Sequence, residues 1–233
     1  AKDSSIWGED AQPEASIRLG WVTSATDSKR YLDEIQALRD HFAASGVTRF
    51  VLCGMGGSSL APEVITGAAG VELITLDSTD PAQVQVATVN LEKTAVVVSS
   101  KSGSTVETDS QKRHFEAAFT EAGISPTERI VVVTDPGSPL DGAARAQGYR
   151  VFNADPNVGG RYSALTAFGL VPSGLAGVHS PRDSAGLGAQ FALAAARAAG
   201  PRARRGRARG SRSAPGRRPP PPHRRRSRRG PWA

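Results

Sequence analysis

The sequence predicts an α/β fold, a doubly wound five-stranded parallel sheet flanked by helices. Five short apolar runs are rich in Val and Ile and show little polar alternation, which is typical of strands buried on both faces. Helical patterns separate these runs, and glycines follow three of them as helix-closing residues. This βαβ rhythm favours right-handed crossovers within one sheet.

The same patterns place each element along the chain. Predicted strands cover 49–55, 71–77, 94–99, 129–134 and 149–152. Predicted helices cover 29–45, 59–67, 81–89, 105–122, 138–147 and 163–176, with the closing glycines Gly46, Gly123 and Gly148. We therefore divide the chain into an N-terminal extension (1–28), an α/β domain (29–177) and a tail (178–233) that is first Ala-rich and then Arg- and Pro-rich.

Charge separates the tail from the rest of the chain. The 233 residues include 29 basic and 22 acidic side chains, giving a formal net charge of +7. Residues 201–233 hold 13 of the basic residues, all Arg, and no acid; removing these 13 from the 29 leaves 16 basic against 22 acidic residues, or about −6. The folded part is thus mildly acidic, and the tail is expected to be disordered.

Cysteine usage and hydropathy indicate a cytoplasmic protein. Cys53 is the sole cysteine and lies in an apolar run, which suits a reducing compartment and excludes an intramolecular disulfide framework. No stretch approaches the roughly 18 apolar residues of a membrane span, and the first residues lack the apolar core of a signal peptide.

Residues 100–105 are the first candidate binding loop. Here a buried strand ends and a helix begins, and Ser100, Ser102 and Thr105 supply hydroxyls while Lys101 adds a positive charge. Hydroxyls, loop amides and a helix N-terminus together favour a phosphate monoester. The alternative is a polar turn that only caps its helix, in a capping box with Ser104 at the N-cap and Glu107 three residues later.

Two further glycine-rich loops also follow predicted strands. In 54–59 (Gly-Met-Gly-Gly-Ser-Ser) the glycines permit close backbone approach, and a serine can cap the next helix. A dinucleotide site is disfavoured, because that motif needs glycine where Ser59 stands. In 155–163, Gly159 and Gly160 can aim Arg161 across the strand ends to stabilise an oxyanion, although bonds to loop carbonyls are an alternative role for this arginine.

Together the three loops resemble the glucose-6-phosphate isomerase family. The matching segments are 54–60 (GMGGSSL), 100–108 (SKSGSTVET) and 157–163 (NVGGRYS). The resemblance implies a sugar-isomerase (SIS) fold and reversible conversion of glucose 6-phosphate to fructose 6-phosphate through an enediolate, with no metal or organic cofactor. It also implies that Arg161 is catalytic and steadies the intermediate's negative charge. The residues implied to bind substrate are Gly57, Ser58, Ser100, Lys101, Ser102, Thr105 and Gly160.

The chain also departs from this family. The resemblance places the proton-transferring glutamate, a histidine and a late lysine in the second half of the family's chain, whereas here the last Glu is Glu128 and the last Lys is Lys112. We therefore expect an amino-terminal part that binds phosphosugar with feeble or no turnover. Family members act as homodimers, and whether this chain dimerises stays open.

The tail has two interpretations, and a second function depends on them. It is either a frame-shifted reading of GC-rich coding DNA or a genuine basic arm that contacts nucleic acid non-specifically, by charge alone. The alternative function is accordingly a non-catalytic SIS module that binds sugar phosphate and carries a basic nucleic-acid-binding tail.

Overall fold

The structure is a computed structural model that describes residues 2–178. Its centre is one parallel sheet of five strands in the order β2-β1-β3-β4-β5. The strands are β1 (Arg49–Gly54), β2 (Ile74–Leu76), β3 (Thr94–Ser100), β4 (Ile130–Thr134) and β5 (Arg150–Asn153). The predicted doubly wound α/β sheet is confirmed, and the tail, predicted to be disordered, lies outside the described residues.

Eight α-helices and several short 3₁₀ turns accompany the sheet within residues 2–178. The helices are α1 (Gln12–Arg18), α2 (Ser24–Asp27), α3 (Leu32–Ala44), α4 (Leu60–Ala69), α5 (Pro81–Ala87), α6 (Val106–Glu121), α7 (Pro139–Ala146) and α8 (Ala167–Ala176). No helix in this part of the chain has the length and apolar character to cross a membrane.

The sheet is covered on both faces because successive side chains of its central strands point to opposite sides, and most of them are apolar and buried. Leu52 packs into a cluster that includes Phe42 of α3 and Phe168 of α8. Its neighbour Cys53 packs into a second cluster that includes Phe115 of α6. Cys53 is fully buried, and this burial raises the pKa of its thiol.

Two helices start three or more residues later than the sequence predicts. The helix predicted for 29–45 begins with the 3₁₀ turn Ser28–Tyr31, and only then continues as α3. The helix predicted for 163–176 starts later, as α8, because the Thr166 side chain accepts the N–H of Phe168 and caps the helix there. Helices α1 and α2 lie in the segment that we predicted only as an N-terminal extension.

Candidate functional site

The strand order places a topological switch point between β1 and β3. The chain goes from β1 to one side of the sheet, to β2, and then returns to build β3, β4 and β5 on the other side. Gly54 at the end of β1 is in register with Ser99 near the end of β3. In open parallel sheets the crevice beyond such paired carboxyl ends is where ligands bind. The loops 54–59 and 100–105 flank this crevice.

Loop 100–105 is shaped by hydrogen bonds among its own hydroxyls. The Ser100 hydroxyl donates to Thr105 Oγ1 (3.1 Å) and accepts the N–H of Gly103 (3.2 Å). Ser102 Oγ accepts from both the N–H and the hydroxyl of Ser104, each at 3.2 Å. The Ser102 and Thr105 oxygens thus act as acceptors within the loop, and their own protons have no acceptor among residues 2–178. A hydroxyl can accept and donate at once, so both protons are available to an anion.

The prediction of a capping box at the start of α6 is wrong. Thr105, not Ser104, is the N-cap residue, and no side chain caps the helix. The Ser104 hydroxyl bonds Ser102 instead, which removes it from the helix end. In the part of the chain that the structure describes, the N–H groups of Val106, Glu107 and Thr108 therefore have no acceptor. Uncapped first-turn amides and the helix dipole favour a bound anion.

Lys101 is held beside the end of β4. Its Nζ donates to Asp135 Oδ2 at 2.5 Å and lies 6.0 Å from the centre of the Phe168 ring. The two charged side chains are only 26% and 17% exposed, so this ion pair is partly shielded from water. Asp135 Oδ1 is buried and has no hydrogen-bond partner in the described structure. The predicted phosphate-binding ammonium thus already has a carboxylate neighbour.

Loops 54–59 and 155–163 touch through their glycines. A Cβ on Gly57 would lie 2.7 Å from the carbonyl oxygen of Gly160, so only a glycine fits here without movement. The Ser163 hydroxyl bonds the carbonyl oxygens of both Gly57 (3.1 Å) and Gly160 (2.7 Å). Ser99 Oγ in turn donates to the carbonyl oxygen of Ser58 at 3.2 Å, which connects loop 54–59 to β3.

Arg161 and Ser58 present unused donors at this edge. Arg161 is exposed, and its guanidinium makes no hydrogen bond or ion pair with any described residue. The alternative role for it, bonding of loop carbonyls, is not formed. Ser58 is buried, and its hydroxyl also has no partner within residues 2–178. Neither Ser58 nor Ser59 caps α4 with its side chain, contrary to the expectation from sequence.

Two contributors to this edge were missed in the sequence. Asp135 follows β4 directly, and that position was the available signal, since the residue after a parallel strand lies at the ligand edge. Ser163 lies in the matching segment 157–163, but its contact was not predicted, because its partner Gly57 is 106 residues away. Within the described residues no group of three or more His, Cys, Asp and Glu side chains could hold a metal ion.

Fold and loops together define an open parallel α/β domain with its glycine- and hydroxyl-rich loops at the switch point. The family model for phosphoglucose isomerase matches residues 14–179. The chain belongs to the phosphoglucose isomerase family.

Relatives and solved structures agree with this membership. The chain is 36% identical over 171 residues to a glucose-6-phosphate isomerase of Thermus thermophilus, covering 70% of this chain and 40% of the relative. It is 37% identical over 142 residues to the chloroplastic glucose-6-phosphate isomerase 1 of Arabidopsis thaliana, covering 57% and 23%. A crystal structure of a glucose-6-phosphate isomerase from Chlamydia trachomatis superposes with a TM-score of 0.56 at 29% identity, covering 75% of this chain and 34% of the other. The chain thus spans less than half the length of these relatives.

Proposed function

We propose that this chain is the phosphosugar-binding part of a glucose-6-phosphate isomerase. In this proposal loop 100–105 holds the phosphate, Gly57, Ser58 and Gly160 line the sugar, and Arg161 faces the reacting carbons. The observation that carries the proposal is the set of unpaired donors on both sides of the switch point: three hydroxyl protons (Ser58, Ser102 and Thr105), three helix amides and one guanidinium. A dianionic phosphate monoester needs several such donors, and the bonds it accepts are charge-assisted.

The proposed reaction interconverts an aldose and a ketose. A proton moves between C1 and C2, and the negative charge of the enediolate develops on the oxygens of these carbons. An unpaired guanidinium next to those oxygens would stabilise that charge more than it stabilises the neutral substrate, which is the requirement for lowering the barrier. The glutamate that the resemblance assigns to proton transfer has no counterpart in this chain, so we expect binding without appreciable turnover by this chain alone.

Lys101 has an indirect role in this proposal. Since Asp135 already neutralises its charge, Lys101 contributes less to anion affinity than an isolated ammonium would. Hydroxyls and helix amides therefore supply most of the phosphate affinity.

We extend the proposal to a cytoplasmic location, which the single buried cysteine favours, and to family-type homodimers. Any binding of nucleic acid would be non-specific and would occur through the positive charge of the Arg-rich tail.

The test is calorimetric titration with fructose 6-phosphate, with fructose and inorganic phosphate as comparison ligands. We expect fructose 6-phosphate to bind, fructose not to bind, and phosphate to bind more weakly. Replacing both Ser102 and Thr105 by Ala should weaken fructose 6-phosphate binding by about 2–4 kcal/mol, at roughly 1–2 kcal/mol per charge-assisted bond.

A matched control is the double variant Ser125→Ala with Thr127→Ala. These two exposed hydroxyls bond each other at 2.9 Å in the connection that precedes β4, at the opposite edge of the sheet. The control should bind fructose 6-phosphate like the unmodified chain. Equal affinity of both double variants would remove the phosphate assignment.

A further inference from the structure

The segment between β5 and α8 carries Arg161 in a six-residue 3₁₀ turn (Gly160–Leu165), and residues 154–159 before this turn have no regular secondary structure. Inside it, the Asp155 side chain accepts the N–H of Asn157 at 2.8 Å, and the Asp155 carbonyl accepts the N–H of Val158 at 3.2 Å. These are local turns, and turns alone do not fix a loop relative to the sheet. The loop must be placed by contacts from elsewhere.

Some of these contacts come from loop 54–59, through Gly57 and Ser163, and others come from residues 18–31, which precede the sheet in the chain. Arg18 donates to the carbonyl oxygen of Pro156 at 3.2 Å. At the other end of residues 18–31, the Tyr31 hydroxyl donates to the carbonyl oxygen of Asn153, the last residue of β5, at 2.6 Å. Each of these bonds joins residues more than 100 positions apart, so the amino-terminal segment and the loop after β5 form one local structure.

Gly20 lies against the centre of this loop. A Cβ on Gly20 would stand 2.9 Å from Asp155 Oδ2, 2.9 Å from Val158 Cγ2 and 3.0 Å from the carbonyl oxygen of Asn157. The two 2.9 Å distances are shorter than real Cβ contacts, and the 3.0 Å distance to the Asn157 backbone is tighter than most of them. The absence of a side chain at position 20 is therefore what allows the loop to lie where it does.

Trp21 completes the contact next to the arginine. Its ring stacks on Tyr162 with 5.5 Å between centroids and 21° between planes. Trp21 is 39% exposed and Tyr162 is 59% exposed, so this pair lies at the surface rather than in the core. Burial alone does not explain why two large aromatic rings stack at the surface. Because Tyr162 directly follows Arg161 in the chain, the stack restrains the backbone next to the arginine.

We infer that Gly20 and Trp21 are positioning residues for Arg161: they fix the loop that carries the guanidinium toward the reacting end of the sugar. This inference rests on the proposed function and adds to it two residues outside the three glycine-rich loops. Trp21 acts through Tyr162, and both positions lie outside the phosphate loop 100–105.

The test compares two ligands in the full chain. 6-Phosphogluconate has a carboxylate at C1, so it places negative charge where Arg161 acts, whereas inorganic phosphate occupies only loop 100–105. We expect Trp21→Ala to weaken 6-phosphogluconate binding about three- to tenfold, in line with the usual strength of an aromatic pair, and to leave phosphate binding unchanged. Trp21→Phe, which keeps a stacking ring, should restore the affinity. Gly20→Ala should act like Trp21→Ala.

The control is Trp7→Ala, an exposed tryptophan of the same amino-terminal segment, which should alter neither affinity. A general loss of folding would lower the affinities for 6-phosphogluconate and for phosphate together. Displacement of Arg161 lowers the affinity for 6-phosphogluconate relative to that for phosphate. An unchanged ratio in both Trp21→Ala and Gly20→Ala overturns the inference. If the unmodified chain binds neither ligand, the proposed function fails.

A second measurement needs no ligand. Hydrogen exchange at the amides of Val158 and Tyr162, which close turns to Asp155 and Gly159, reports whether the loop is fixed. Trp21→Ala should speed exchange at these two amides, with Trp21→Phe restoring it and strand β3 unaffected. Unchanged exchange at both amides overturns the inference even if the ligands fail to bind.

Discussion

Single residues decide how closely the loops of the candidate site approach one another. Gly57 and Gly160 meet backbone to backbone, and Ser163 bridges their carbonyl oxygens. The glycines are thus required by the distance between two loops and not by a left-handed backbone conformation, because neither has a positive φ. A side chain on Gly57 would open the contact that brings the Arg161 loop over β1.

We predict that Gly57→Ala lowers both stability and affinity. The new methyl group would lie 2.7 Å from the Gly160 carbonyl oxygen, and overpacking of this kind costs about 1–3 kcal/mol. The loops must separate, so fructose 6-phosphate binding should weaken as well. Thermal unfolding and calorimetry measure the two effects.

Gly67→Ala is the matched control. Gly67 lies inside α4, and a Cβ there meets nothing within 4 Å. Alanine is a better helix former than glycine, so this variant should be more stable by about 0.5–1 kcal/mol, with unchanged affinity. Gly57→Ala and Gly67→Ala behaving alike would contradict the proposed contact.

At the scale of elements, the connection between β4 and α7 is stabilised by Asp141. Its carboxylate accepts the Gly137 N–H at 2.9 Å, the Asn153 side chain at 3.1 Å and the Arg145 side chain at 2.8 Å. The hydrogen bond from Gly137, followed by that from Asn153, lowers the pKa of Asp141 below its usual value. This connection also carries Ser138, whose hydroxyl bonds Thr134 at the end of β4.

We predict a pH-dependent contribution from this carboxylate. Because the pKa of Asp141 is lower in the folded chain than in the unfolded chain, its contribution is complete above the unfolded pKa of about 3.9 and is lost as the pH falls through the folded pKa. Asp141→Asn should therefore lower the free energy of unfolding by about 1 kcal/mol at pH 7, and the difference should shrink toward pH 3.

Urea unfolding at pH 7, 5 and 3 measures this difference. Asp109→Asn is the control, because Asp109 forms an exposed pair with Arg113 on α6, and such surface pairs contribute little. A constant difference between Asp141→Asn and the unmodified chain at all three pH values would contradict the assignment.

The sequence predicts those structural features that depend on residues close together in the chain. β3 and β4 are buried along their whole length and mainly apolar, and Gly46, Gly123 and Gly148 have the positive φ predicted for closing residues. The capping box failed because the Ser104 hydroxyl bonds Ser102 instead, a choice that the spacing of Ser104 and Glu107 cannot reveal.

The long-range parts of the site were not predictable. The stacking of Trp21 on Tyr162 joins residues 141 positions apart, and the bond from Ser163 to Gly57 spans 106. Sequence periodicity reports which face of an element is buried, but it carries no information on which distant loop lies against it. The sequence therefore predicts that the three loops share an edge and leaves open how they touch.

For the whole molecule, the consequence of the fold is that the unpaired donors lie at one end of the sheet, the carboxyl ends of the strands. Helices on both faces bury the strands and leave their carboxyl ends open. Strand order puts the switch point between β1 and β3, and the unpaired donors lie around it. The candidate site is thus assembled from loops that are far apart in the chain but follow strands of one sheet.

The most direct test of this account is an amide chemical-shift map of the chain during titration with fructose 6-phosphate. We predict saturable shifts in 54–59, 100–108 and 157–162, largest at the uncapped amides of Val106, Glu107 and Thr108, with little change at the opposite edge in 46–48 and 124–129. Saturable shifts confined to that opposite edge, or none at millimolar sugar phosphate, would contradict a phosphosugar site at the carboxyl ends of the strands.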